Sequence, residues 1–317
     1  MKAKKIFFTT LLFSCISFSL ILFFNPTAYA TPPVLVPPGL PGCCYDLDRI
    51  LRPTSPSLEG PDIMELQMRL KELNYFKGEI NGIYDENTIT WVKKFQKDNN
   101  IAPTGWVTVG TWKALAQDVK VPVSSSQDSP RGNIELVIYR DKQTLVVYVN
   151  GKEFKRYPVA VGKYKTPTPI GEFKIVSKGT GWGGGFGTRW MGLNVPWGIY
   201  GIHGTNKPWS IGRYASHGCI RMHNKNVEEL FRWVPLGTPV TIVGTPPKLT
   251  YKPLQVGSSS PDVIKVQSRL RELGLYLGPT DGRFGKMTEI SLMYFQAVNG
   301  LEPDGKVGKE TYKALGL

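Results

Sequence analysis

Every histidine of the chain, His203, His217 and His223, falls in one short segment that also holds Cys219. It reads Ile202-His203-Gly204-Thr205, then a loop with proline, tryptophan and glycine, then Ala215-Ser216-His217-Gly218-Cys219-Ile220-Arg221-Met222. Two chemistries use such residues: zinc ligation, or a thiolate activated by an imidazole. Zinc takes three or four ligands, usually with a local pair such as Cys-x-x-Cys, whereas here one thiol stands near three imidazoles. A thiol attacking a carbonyl needs a base within hydrogen-bond reach, a group that fixes the base's tautomer, and donors aimed at the developing oxyanion. His203, in its own loop before the gap, is placed to serve Cys219 as general base and later as acid to a leaving amine. Gly218 lets the backbone turn sharply, so that amides around His217, Gly218 and Cys219 can converge on an acyl oxygen. Such a site needs neither a metal nor a cofactor. His223 is read as non-catalytic. Trp182, Trp190, Trp197 and Trp209 lie among nearby glycines and read equally as groove lining or as loop anchors.

The elements that must hold these residues are short strands. Ile134 to Tyr139, Thr144 to Val149 and Phe154 to Val161 have strand-like patterning, and Asn150-Gly151 between the last two is a strong hairpin signal. Glu172 to Val176, Met191 to Val195 and Val240 to Val243 continue the theme, with one helical stretch at Asn226 to Val234. Residues 132–244 therefore read as a mainly β domain, bounded by a Ser/Asp/Pro linker at 119–131 and a proline-bearing linker at 245–257.

On either side of this domain the chain repeats itself. Pro61 to Leu115 superimposes on Pro261 to Leu315 at a constant offset without a gap, matching Gln67 with Gln267, Gly82 with Gly282, Phe95-Gln96 with Phe295-Gln296, Gly105 with Gly305 and Thr111 with Thr311. Ile63, Leu66, Leu70 and Leu73 have helical spacing, as do Ile264, Leu270 and Leu273. Asn81-Gly82 and Asp281-Gly282 supply turns, and second and third helices begin near Thr88 and Thr111 and at the matching positions. The modules are bounded at 58–118 and 258–317, each a small three-helix unit.

These residues carry two resemblances. The repeats resemble the peptidoglycan-binding type 1 family, whose Asp-Gly-x-Phe-Gly and Asp-Gly-x-x-Gly segments are nearly complete in the second copy; the first departs from them at Asn81 to Asp85 and at Thr104. The central domain is similar to the YkuD-type L,D-transpeptidases, which carry a His, a gap, and then Ser/Thr-His-Gly-Cys followed by an apolar residue and Arg or Asn. Gly162-Lys163 and Thr166-Pro167-Thr168-Pro169-Ile170-Gly171-Glu172-Phe173 match a second segment of that family. The resemblance implies that Cys219 is the nucleophile and His203 the proton donor and acceptor. It also implies that His217 and Gly218 shape the oxyanion region, and that Arg221, with Gly204 and Thr205, meets the substrate. Implied partners are peptidoglycan stem peptides and glycan, with carbapenem-type inhibitors acylating Cys219. The implied reaction is release of D-Ala from a tetrapeptide stem and a 3→3 cross-link to a second stem. L,D-carboxypeptidase action on the same bond is the alternative within that site, and a non-catalytic wall-binding protein or a general cysteine protease the alternatives outside it.

Residues 1–30 agree with a wall enzyme. Lys2, Lys4 and Lys5 precede an apolar run from Ile6 to Phe24 and then Ala28-Tyr29-Ala30, which reads as a secretory signal cleaved after Ala30; the uncleaved alternative is a membrane anchor. Either form places the body outside the membrane, behind a Pro-rich linker at 31–57. A formal charge of +14 favours anionic wall polymers or lipid head groups as partners, and no interleaved basic and aromatic nucleic-acid motif is present. After processing three cysteines remain, too few for a disulfide scaffold. Cys43 and Cys44 are adjacent and read as tail thiols or intermolecular partners, which leaves Cys219 without an obvious mate.

Overall fold

A computed structural model describes residues 50–120, 129–181 and 183–317, all within one compact unit, Val36–Leu317. The expected signal, Cys43, Cys44, most of both N-terminal linkers and Trp182 lie outside the described residues. Among the described residues no helix is long and apolar enough to cross a membrane.

The first module is three helices, α1 (Pro61–Glu72), α2 (Glu86–Asp98) and α3 (Val109–Leu115). The repeated glutamines explain why its loops hold. Buried Gln67 receives the Gly82 amide and donates to Asn81 Oδ1, the Ile83 carbonyl and Thr88 Oγ1, while Gln96 receives the Gly105 amide and donates to the Trp106 carbonyl and Thr111 Oγ1. Each amide thus satisfies buried polar groups that a loop leaves over. At the chain's other end α5 (Pro261–Glu272), α6 (Lys286–Val298) and α7 (Lys309–Leu315) repeat the arrangement around Gln267 and Gln296. Where the first copy has Thr104, the second has Asp304, which accepts an additional bond from Gln296. The modules also reach beyond their expected starts. Leu51 bridges Val107 and Leu254 bridges Val307, and both leucines are buried in module cores, so each expected linker ends as part of the following module.

Between the modules lies the expected β domain. Its strands are β1 (Ile134–Tyr139), β2 (Thr144–Val149), β3 (Lys152–Pro158), β4 (Val161–Gly162), β5 (Gly171–Thr180), β6 (Arg189–Leu193), β7 (Tyr200–His203), β8 (Tyr214–Ser216), β9 (Ile220–Arg221) and β10 (Pro239–Val243), with α4 (Asn224–Trp233) before the last. Eight form one mixed sheet in the order β3-β2-β1-β10-β5-β6-β7-β9, and β4 pairs with β8. The Asn150-Gly151 turn takes positive φ at both residues, as a tight hairpin requires. The sequence reading did not resolve β7, β8 and β9, which are only two to four residues long, too short to show an alternating apolar pattern.

The three bodies share cores. Trp209, from the loop between β7 and β8, is buried in the first module's core and stacks on Trp112 at 6.1 Å, while Ile264 of α5 is buried in the core of the central domain. Burying such side chains contributes about 1.5–3 kcal/mol each. The modules are docked on the central domain rather than tethered beside it.

Candidate active site

His203 ends β7, and Cys219 immediately precedes β9. These strands pair in parallel with His203 opposite Arg221, so the loop from Gly204 to Gly218 leaves one strand and returns to its neighbour. A parallel pairing needs such a crossover, and it is what gathers residues separated in sequence. Cys219 is fully buried in a small aromatic cluster with Phe186, Trp190 and the partly buried Ile199. The His203 ring lies within the same cluster, stacked on Trp190 at 5.7 Å and edge-on to Phe186 at 5.0 Å. Its Nδ1 lies 2.6 Å from the Gly204 carbonyl. A carbonyl accepts only, so Nδ1 carries the proton and Nε2 is the basic nitrogen, the tautomer a general base requires.

The turn before Cys219 is fastened by Ser216. Its hydroxyl donates to the Cys219 carbonyl at 2.6 Å and receives the Gly218 amide at 3.1 Å. Gly218 has φ +120°, and a Cβ there would stand 2.7 Å from the Tyr200 ring, so both backbone and space demand glycine. The Gly218 amide is engaged inside the turn by Ser216 Oγ. The Thr-Pro segment braces the same turn from outside: Lys163 N donates to the Ser216 carbonyl and Gly162 N to Thr168 Oγ1. Beside it a cleft of about 610 Å³ runs past Thr166, Pro167, Tyr200 and His217 and reaches Pro61 and Pro261 of the two modules. Burial holds the Tyr200 phenol above its ordinary pKa, so it stays protonated.

Several expectations are corrected. Arg221, expected to meet a substrate carboxylate, is 1% exposed and is paired at 2.8 Å with Glu65 of the first module. Gly204 and Thr205 are buried as well. The Gly204 carbonyl fixes His203, and the Thr205 amide donates to Asn224 Oδ1 while its hydroxyl receives the Lys207 amide. All three support the site from behind. Cys219, read as lacking a mate, is disulfide-bonded. A disulfide sulfur is no nucleophile until it is reduced to a thiolate. The tryptophans divide by position: Trp190 backs the imidazole, Trp197 lines the cleft against Phe173, and Trp209 anchors the first module.

His217 does border the cleft, and His223 sits as the N-cap of α4, where burial lowers its pKa and keeps the ring neutral. Sequence reasoning did not assign roles to Ser216 or Asn224, although both adjoin the motif and carry the short polar side chains that bind loop backbone. Among the described residues no cluster of three or more His, Cys, Asp or Glu could hold a metal ion.

Residues 133–242 match the L,D-transpeptidase catalytic domain family, and residues 59–115 and 259–315 each match a peptidoglycan binding domain. The L,D-transpeptidase YkuD of Bacillus subtilis is 53% identical over 100 residues, covering 32% of this chain and 60% of the relative. YqjB of the same organism, also named an L,D-transpeptidase, is 37% identical over 126 residues, which are 35% of this chain and 72% of the relative. Among solved structures, the LD transpeptidase LdtMt1 in complex with imipenem has 27% identity and a TM-score of 0.29, covering 35% of this chain and 58% of that one. The chain thus spans about 60% of the length of YkuD.

Proposed function

From the premise that this chain belongs to the YkuD-type L,D-transpeptidase family, we propose that it cross-links peptidoglycan through a Cys219 thioester. The Cys219 thiol gives its proton to His203 Nε2, and the sulfur attacks the carbonyl of the third residue of a tetrapeptide stem. The C–N bond to the terminal D-Ala breaks, and that amine leaves with the proton from His203. The side-chain amine of a second stem then attacks the thioester, losing its proton to His203 and freeing the thiol, which gives the 3→3 link. Water in place of the amine gives L,D-carboxypeptidase action. The substrate lies in the cleft beside His217, and the turn 217–219 faces the developing oxyanion.

The observation that carries the reading is the His203 ring, held by the Gly204 carbonyl in the Nε2-basic tautomer on the strand beside the one that Cys219 immediately precedes. The two peptidoglycan-binding modules support a wall polymer over a general protein substrate, and they hold the enzyme on that polymer. A wall substrate in turn calls for export past the membrane, which the N-terminal segment supplies, and a basic surface suits anionic wall polymers.

The nucleophile is tested by trapping. After reduction with a dithiol and exposure to imipenem, the peptide containing Cys219 gains the mass of the β-lactam, and omitting the reductant removes the adduct. An adduct on any other residue, or none on reduced folded protein, would remove Cys219 as the nucleophile.

A further inference from the structure

Among the contacts between the first module and the central domain, one carboxylate pairs with two buried cations. Glu65 lies on α1 with its carboxylate 7% exposed. Oε1 accepts from Arg221 Nη1 at 2.8 Å and Oε2 from Lys207 Nζ at 3.2 Å. The two cations are 1% and 3% exposed, and the Lys207 ammonium also sits 4.9 Å over the Trp112 ring of α3. Buried cations persist only with paired anions, and Glu65 supplies a carboxylate oxygen to each of these two.

What makes this pairing functional is where the cations stand. Lys207 follows His203 closely, its amide tied to Thr205. Arg221 follows Cys219 in β9, opposite His203, with its amide and carbonyl both bonded to Ala160. Glu65 therefore clasps the loop on either side of its excursion, just beyond the base and just beyond the nucleophile. The matching position of the second module is Lys265, so the contact is no general property of the repeat. A cation there could not make it.

We propose that Glu65 is a positioning residue for the Cys219–His203 pair, so that docking of the first peptidoglycan-binding module is a condition of the site's working geometry. The inference rests on reading Cys219 as nucleophile and His203 as base.

The experiment uses the reduced full chain carrying Glu65→Gln, which preserves size and removes the charge. Two readouts are taken: the pH dependence of iodoacetamide alkylation at Cys219, followed by peptide mass, and kcat and KM for D-Ala release from disaccharide-tetrapeptide. The expected result is an alkylation profile displaced from the parent's and a kcat lower by about 10²-fold with KM within about twofold of the parent. Glu65→Asp recovers part of both. Folded Glu65→Gln with the parent's alkylation profile and kcat would overturn the proposal. If Glu65→Gln does not fold, the triple variant with Lys207→Met and Arg221→Met removes the two cations that Glu65 pairs, and parental alkylation and kcat in that protein would equally overturn it. A parent protein that releases no D-Ala defeats the transpeptidase reading instead, while the alkylation comparison still decides the role of Glu65.

Discussion

The thioester proposed at Cys219 would require that the backbone carrying the sulfur stay fixed. Ser216 supplies that restraint by bonding forward to the Cys219 carbonyl and accepting the Gly218 amide. Ser216→Ala removes both bonds and leaves a buried amide and carbonyl to find other partners, at a stability cost of about 1–3 kcal/mol. The larger effect is on geometry, since catalysis falls steeply with small displacements of the reacting groups. Steady-state kinetics of D-Ala release is expected to show kcat lower by about tenfold or more with KM little changed. An unchanged kcat would mean that the turn holds without Ser216. The motif brought Cys219 and His203 forward as candidates because both lie in two short strings of residues. It misassigned Arg221 because a guanidinium next to a nucleophile reads the same whether it faces substrate or a carboxylate from another module. Only the docked structure distinguishes the two.

At the scale of the element, the repeat was legible down to single residues, since buried Gln67, Gln96, Gln267 and Gln296 are fixed by loop amides in both copies. The Asn150-Gly151 hairpin was legible for the same reason, a local turn with local chemistry. The short strands β7, β8 and β9 were not, because parallel pairing across a long loop leaves no periodic trace. Nor was docking, which enters where the two copies stop being equivalent. Gly82 and Gly282 share a positive φ, but a Cβ at Gly82 meets the flexible Met64 side chain at 2.7 Å, whereas at Gly282 it meets the Trp197 ring at 2.3 Å. The backbone strain of alanine is common to both positions and cancels in the comparison. Gly282→Ala is therefore expected to lose about 1–3 kcal/mol more stability than Gly82→Ala, as read from urea denaturation midpoints of the two full-length variants. Equal losses would contradict the seat of Trp197 against the second module.

The molecule as a whole departs most from the sequence picture of three independent bodies joined by linkers. Trp209 completes the first module's core, Ile264 enters the central core, and Arg271 bonds Glu172 across the second junction at 2.5 and 2.9 Å. Bodies that share buried side chains lose them together. Urea unfolding of residues 31–317 is expected to give coincident midpoints by far-UV circular dichroism and tryptophan fluorescence, and separated transitions would show that the junctions contribute little. The same junctions place Pro61 and Pro261 at the rim of the cleft, so both modules border the cleft proposed to take the stem. The most direct test of that arrangement is mass spectrometry of the products from reduced residues 31–317 incubated with disaccharide-tetrapeptide, beside the Cys219→Ala variant. The account predicts a 3→3 cross-linked dimer and free D-Ala that vanish in the variant. Tripeptide without dimer would make the enzyme a carboxypeptidase, and the same products from Cys219→Ala, or none from either protein, would contradict the thioester mechanism.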